Sequence, residues 1–269
     1  VQAYAEDGAG ELYAVSLFDQ KIHKLVPAGG GAPVAFPELL SQTGCFQAAD
    51  PTKPTAGVIP FDVNAPLWSD AADKQRWLAI PDGTKITVRP DGDFEVPVGT
   101  VLIKQFTLGG RRVETRLFVR HADGEWGGYS YEWNDAQTDA TLLPSGKVKD
   151  VGGQSWTFPS RSECGLCHTA AAGRSLGPEI GQLNGSVLYP TTGRTANQLR
   201  TLDHIGLFDA PIGDPAALPA YPKPFDGPAS EAKARAYLHS NCSSCHRPNG
   251  GAGRSTMDLR FATPFASTN

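Results

Sequence analysis

Two pentapeptides, Cys164-Gly165-Leu166-Cys167-His168 and Cys242-Ser243-Ser244-Cys245-His246, hold four of the five cysteines of a 269-residue chain. A cysteine pair three positions apart, followed at once by a histidine, puts three ligating groups on little more than one helical turn. The fold must deliver both triplets to places where that chemistry is usable. A disulfide framework needs many paired cysteines in a short secreted chain, and this chain is neither short nor cysteine-rich.

Three chemistries besides coincidence compete for such a pair of motifs. A zinc ribbon separates its two cysteine pairs by roughly 15–20 residues, whereas 74 residues lie between Cys167 and Cys242, and zinc does not require a histidine after each second cysteine. A thioredoxin-like redox site needs one motif inside a βαβ pattern, which is absent. Attachment of haem c uses every feature: both thiols form thioethers to the porphyrin, and the adjacent histidine lies against one face of the iron. The expectation is two haem c groups, held at Cys164 and Cys167 with His168 as proximal ligand, and at Cys242 and Cys245 with His246.

The remaining sequence supplies the frame. Hydrophobic residues make up 40% of the chain and the net charge is −4, from 24 basic and 28 acidic residues well mixed along it. No stretch has the ~20 apolar residues needed to span a bilayer, and no basic stripe suggests nucleic acid. The segment "ELYAVSLFDQKIHKLV" (11–26) predicts two short strands around Asp19-Gln20, followed by the flexible break "PAGGGAP" (27–33). From about 57 to 158 the pattern is antiparallel β. "TKITVR" (84–89), "TVLIKQFTL" (100–108), "RRVETRLFVR" (111–120) and "YSYEW" are punctuated by Asp82-Gly83, Asp91-Gly92, Gly109-Gly110 and Asp123-Gly124. In the third run Val113, Thr115, Leu117 and Val119 share a face, with charges mostly on the other; Tyr129, Tyr131 and Trp133 share a face in the fourth. After 160 the texture changes. Thr195 and Gln198 form an expected capping box before Leu199, Leu202 and Ile205, and Ser230 caps a second helix, with Ala234, Tyr237 and Leu238 on one face, that runs into Cys242. The proline-rich stretch 209–230 reads as linker or meander. The fold expected is mixed α+β: an antiparallel, jelly-roll-like β-sandwich over 31–158, then a mostly helical or irregular c-type cytochrome region. That region divides into a first haem segment (159–228) and the start of a second (229–269).

Several blocks extend the reading by resemblance. "YAEDGAGELYAVSLFDQKIHKLVP" resembles the closing blade of sugar-dehydrogenase-like β-propellers related to quinoprotein glucose and sorbosone dehydrogenases. "FPELLSQTGCF", "VNAPLWSDAADKQRWLAIPDG", "YEWNDAQTDATLL", "ECGLCHTAAAGRSLGPEIGQLN" and "YLHSNCSSCHRPNG" are similar to a family of bacterial diheme c-type cytochromes. The resemblance implies that 1–30 is the end of a propeller-like segment. It also implies a periplasmic or otherwise exported protein that relays electrons between a donor, such as a quinoprotein-type dehydrogenase, and an acceptor, with a redox partner protein on either side. Relatives continue beyond the position of Asn269, so a later segment is expected to complete the second haem pocket.

A haem that only transfers electrons needs a sixth iron ligand, and His204, His239 and Met257 are the candidates; His23 and His121 lie near expected turns. Met257 falls only 11 residues beyond His246, which is tight for reaching the far face of the same haem. Cys45, alone in "QTGCFQAAD", is a buried free thiol or the partner of a cysteine beyond Asn269. Asp135 and Asp139 invite a calcium reading that turn chemistry explains without an ion. The five tryptophans, Trp68, Trp77, Trp126, Trp133 and Trp156, are expected in the core. Two other functions compete with the relay: a diheme peroxidase, for which the sequence offers no obvious acid, and a carbohydrate- or partner-binding β-sandwich carrying haems.

Overall fold

The computed structural model describes residues 3–16, 20–26, 36–253 and 255–268; the 27–33 break and Asp19 lie outside them. Its centre is a six-stranded antiparallel sheet in the order Ala140–Leu142, Trp126–Trp133, Arg111–Arg120, Val101–Leu108, Asp73–Ala79, Ile59–Phe61. The antiparallel β character is as expected, but sequence neighbours within the sheet pair with one another, so the sheet is an up-and-down meander and, among the described residues, no jelly-roll connection occurs. The tightest turn shows why: Leu108 pairs with Arg111 across Gly109 and Gly110, at φ 54° and 78°, and that two-residue connection continues the strand twist. Besides this sheet, the described residues form a three-stranded sheet (Ala3–Glu6, Leu12–Ser16, Lys21–Lys24) and two-stranded hairpins.

Both faces of the central sheet are covered. Trp77, Ile103, Leu117 and Tyr129 stand in one cross-strand row and pack with Leu40, Cys45, Phe46, Tyr131 and Trp133. One residue along, Leu78, Leu102 and Phe118 turn to the opposite face. There they join Ile86, Phe94 and Val96, together with Ile180, Leu183, Leu199, Leu202, Leu207 and Phe208 from beyond residue 159. The β region and the first cysteine-bearing segment therefore share one core. Two isolated bridges reinforce it, Ile86 with Phe208 and Asp93 with Glu179.

Several local expectations change. The region after 159 is not mostly helical: among the described residues it carries four α-helices, Arg161–Cys167, Ile180–Leu183, Gln198–His204 and Glu231–Cys242, two 3-10 turns, a hairpin Ser186–Tyr189/Arg194–Asn197, and irregular chain between. Thr195 does not cap the third helix, because it pairs with Leu188 in that hairpin; Asn197 caps it, its side chain accepting from the Arg200 N–H at 3.1 Å. Ser230 caps the fourth helix as expected, accepting from Lys233 N–H. That helix buries Ala236 rather than Ala234. The strand expected over 84–89 shrinks to Thr87–Val88. Trp77, Trp133 and Trp156 are core residues, whereas Trp68 is exposed.

Candidate functional site

The first pentapeptide sits on the helix Arg161–Cys167, which starts at a reciprocal cap. The Ser160 hydroxyl accepts from Glu163 N–H, and a Glu163 oxygen accepts from Ser160 N–H at 2.7 Å. These hydrogen bonds hold the Glu163 carboxyl below the usual range. The helix lies against the sheet at Gly128: a Cβ there would stand 2.5 Å from Cys164 Sγ, so only glycine admits the thiol. Burial raises the Cys164 and Cys167 thiols above the usual range.

His168 ends this helix. Its Nδ1 is 2.6 Å from the Arg174 carbonyl, which can only accept, so Nδ1 carries the proton and Nε2 keeps its lone pair. Arg174 returns a bond to the His168 carbonyl at 2.9 Å, and the imidazole rests on Phe118 at 4.0 Å. Burial, with Lys104 nearby, lowers the His168 pKa to about 3, so the ring is neutral.

Cys164, Cys167 and His168 line an open cavity. Phe61, Val63, Leu67, Leu102 and Phe118 give it an apolar wall. A row of cations crosses its floor: Arg76, Lys104 and Arg116 are directly opposed on three neighbouring strands and face the same way as Leu102 and Phe118. Arg76 pairs with Asp62 at 2.7 Å, and Arg116 makes two 2.8 Å bonds to the buried Glu114. Lys104 has neither a hydrogen bond nor an ion pair among the described residues, and burial beside the two guanidiniums lowers it to about 7.

Another part of the wall is acidic. Glu179 is buried, accepting from the Tyr221 hydroxyl at 2.9 Å and bonding His239 Nε2 at 2.8 Å. Because His239 Nδ1 accepts from Phe261 N–H at 3.0 Å, the His239 proton sits on Nε2 and points at the carboxylate. Asp93 stands nearby, raised to about 6 by burial and by Glu179. Arg247, the residue after the second pentapeptide, also lines this cavity.

The two pentapeptides touch. Thr169 Oγ1 donates to the Ser244 carbonyl at 2.9 Å, Cys245 Sγ lies 3.6 Å from the Leu166 carbonyl, and Arg247 reaches the Ala171 carbonyl at 3.1 Å. Cys242, Cys245 and His246 are not among the cavity's lining residues; His246 Nδ1 faces Ser255 at 3.2 Å instead. Of the candidate distal ligands, His204 is exposed at the end of its helix and Met257 is 40% exposed, and neither lines the cavity. His239 lines it with both ring nitrogens engaged. Cys45 is a buried thiol. Asp139 accepts from Ser41 and caps Ala140 N–H, which accounts for it without an ion. Among the described residues, no three His, Cys, Asp or Glu side chains converge as a cage for a metal ion.

The features around the first pentapeptide fit haem c. Paired thiols, a neutral histidine whose Nε2 has no hydrogen bond among the described residues and a cavity with an apolar wall are what the group requires. Sequence reasoning missed the cationic row and the Asp93–Glu179 pair. Arg116 lies in a β run whose charged positions fall on the face opposite the apolar one, and Asp93 directly follows the Asp91-Gly92 turn, so neither pattern by itself marks a buried site. No family model, curated protein or solved structure matches the chain.

Proposed function

We propose that the chain is an exported diheme c-type cytochrome that relays electrons between a donor and an acceptor. The observation that carries this reading is His168: its proton is committed to a backbone carbonyl, leaving Nε2 as a neutral ligand beside two thiols and an apolar cavity. Contact between the two pentapeptides supports a relay, since groups attached at Cys167 and Cys245 are neighbours. The resemblance to bacterial diheme cytochromes points the same way, and the propeller-like N-terminal block favours a quinoprotein-type dehydrogenase as donor. Bound haem supplies one-electron chemistry at iron. The chain's own part is to fix the thioether positions, orient the imidazole through Arg174 and exclude water with Phe118, Leu102 and Val63. Optical spectra of the purified protein in both redox states test the reading: sharp α and β bands on reduction support it, and a protein without a Soret band refutes it.

One observation favours a second reading, a diheme peroxidase. Asp93, Glu179 and Arg247 supply, in the same cavity as His168, the acid and cation that the sequence alone did not offer. Turnover of hydrogen peroxide with a reduced donor, lost in Asp93→Asn, would select that reading over the relay.

A further inference from the structure

We propose that Lys104, between Arg76 and Arg116, is the counter-ion of a carboxylate inside the cavity, and that this carboxylate is a propionate of the haem seated there. The inference rests on the two-haem reading above.

Directly opposed residues on adjacent strands stand about 5 Å apart, so three cations in register repel one another unless each is compensated. Arg76 is compensated by Asp62, and Arg116 by Glu114, which also accepts from Trp156 Nε1 at 3.0 Å. Lys104, the middle member, is the one left without an anion among the described residues. The three acidic groups that line the same cavity are committed to other partners: Asp93 pairs with Arg89 at 3.2 Å, Glu163 accepts from Ser160 N–H at 2.7 Å, and Glu179 holds His239 and Tyr221. An uncompensated ammonium in an apolar cavity is costly, and an anionic occupant removes that cost. Haem brings carboxylates of its own, and in a cavity that also contains Cys164, Cys167 and His168 it is the occupant whose charge matches the row.

The test uses the full two-haem protein as wild type, Lys104→Gln, Lys104→Met and Lys104→Arg, with the propionate carboxyl carbons isotopically labelled. Intact mass and haem content come first; if the wild type carries no haem, the two-haem reading fails and the failure is not that of Lys104. In the loaded proteins, the labelled carboxylate band of the reduced-minus-oxidised infrared spectrum should shift in Lys104→Gln and Lys104→Met and return in Lys104→Arg. One of the two midpoint potentials should also fall by a roughly tenfold change in the oxidised-to-reduced ratio, about 59 mV for one electron. A labelled band unmoved in both neutral variants overturns the proposal. So does a loss of the wild-type low-spin spectrum in those variants, which would make Lys104 an iron ligand. So does a shift on adding acetate to wild type that the neutral variants lack, which would make the occupant a free carboxylate.

Discussion

Gly128 is the point at which the sheet admits the first pentapeptide. With a Cβ placed 2.5 Å from Cys164 Sγ and 2.8 Å from its Cβ, Gly128→Val must push the helix Arg161–Cys167 off the strand. Overpacking of this kind costs about 1–3 kcal/mol. The expected outcome is a protein carrying one haem, at Cys242 and Cys245, which intact mass reads directly; full loading of both sites would show that the contact is dispensable. Asp93 makes a second prediction at this scale. Burial and Glu179 raise it to about 6 from 3.8, so the folded protein binds this proton more tightly than the unfolded chain. Stability should therefore fall as pH rises from about 4 to 6 and stay lowered above that. Asp93→Asn removes the penalty and should stabilise the protein at pH 7.5 by up to about 3 kcal/mol, with little effect at pH 4. Urea unfolding at the two pH values measures both, and an equal effect at each would contradict the account.

The elements that deliver the cysteines are short helices, and their caps matter accordingly. Ser160→Ala and Ser230→Ala each remove a side-chain acceptor from a first turn and should each cost about 1 kcal/mol. Chemical denaturation of the two variants checks this, and unchanged midpoints would mean that tertiary contacts alone hold these helices. Strands were legible where alternation met turn residues: the run 111–120 is the observed strand Arg111–Arg120, and Tyr129, Tyr131 and Trp133 share a buried face. Of the candidate site, Cys164, Cys167 and His168 stand out in the sequence because of their spacing, and the structure places all three against one cavity. The rest was hidden for a physical reason. A strand with Glu114 and Arg116 alternating with apolar residues reads as half-solvated, yet the later segment folds over that face and encloses the charges. Likewise Thr195 had capping-box spacing, but hairpin pairing delays the helix to Asn197.

At the scale of the molecule, the sheet and the segment after 159 share one core, so they should unfold together. Leu199, fully buried between them, is the lever: Leu199→Ala should cost about 2–5 kcal/mol and lower a single transition seen alike by far-ultraviolet dichroism and Soret absorbance. Two separated transitions would show that the segment after 159 is an independent unit. The same closeness is what the proposed relay would require: the two pentapeptides meet through Thr169 and Ser244. Everything in this account depends on what the two pentapeptides hold. The most direct measurement is the intact mass of the native protein under denaturing conditions, with its haemochrome spectrum. The account predicts the polypeptide plus two covalently bound haems, and one haem after Cys242→Ala with Cys245→Ala. A colourless protein at bare polypeptide mass, or one binding zinc through the same cysteines, would contradict it.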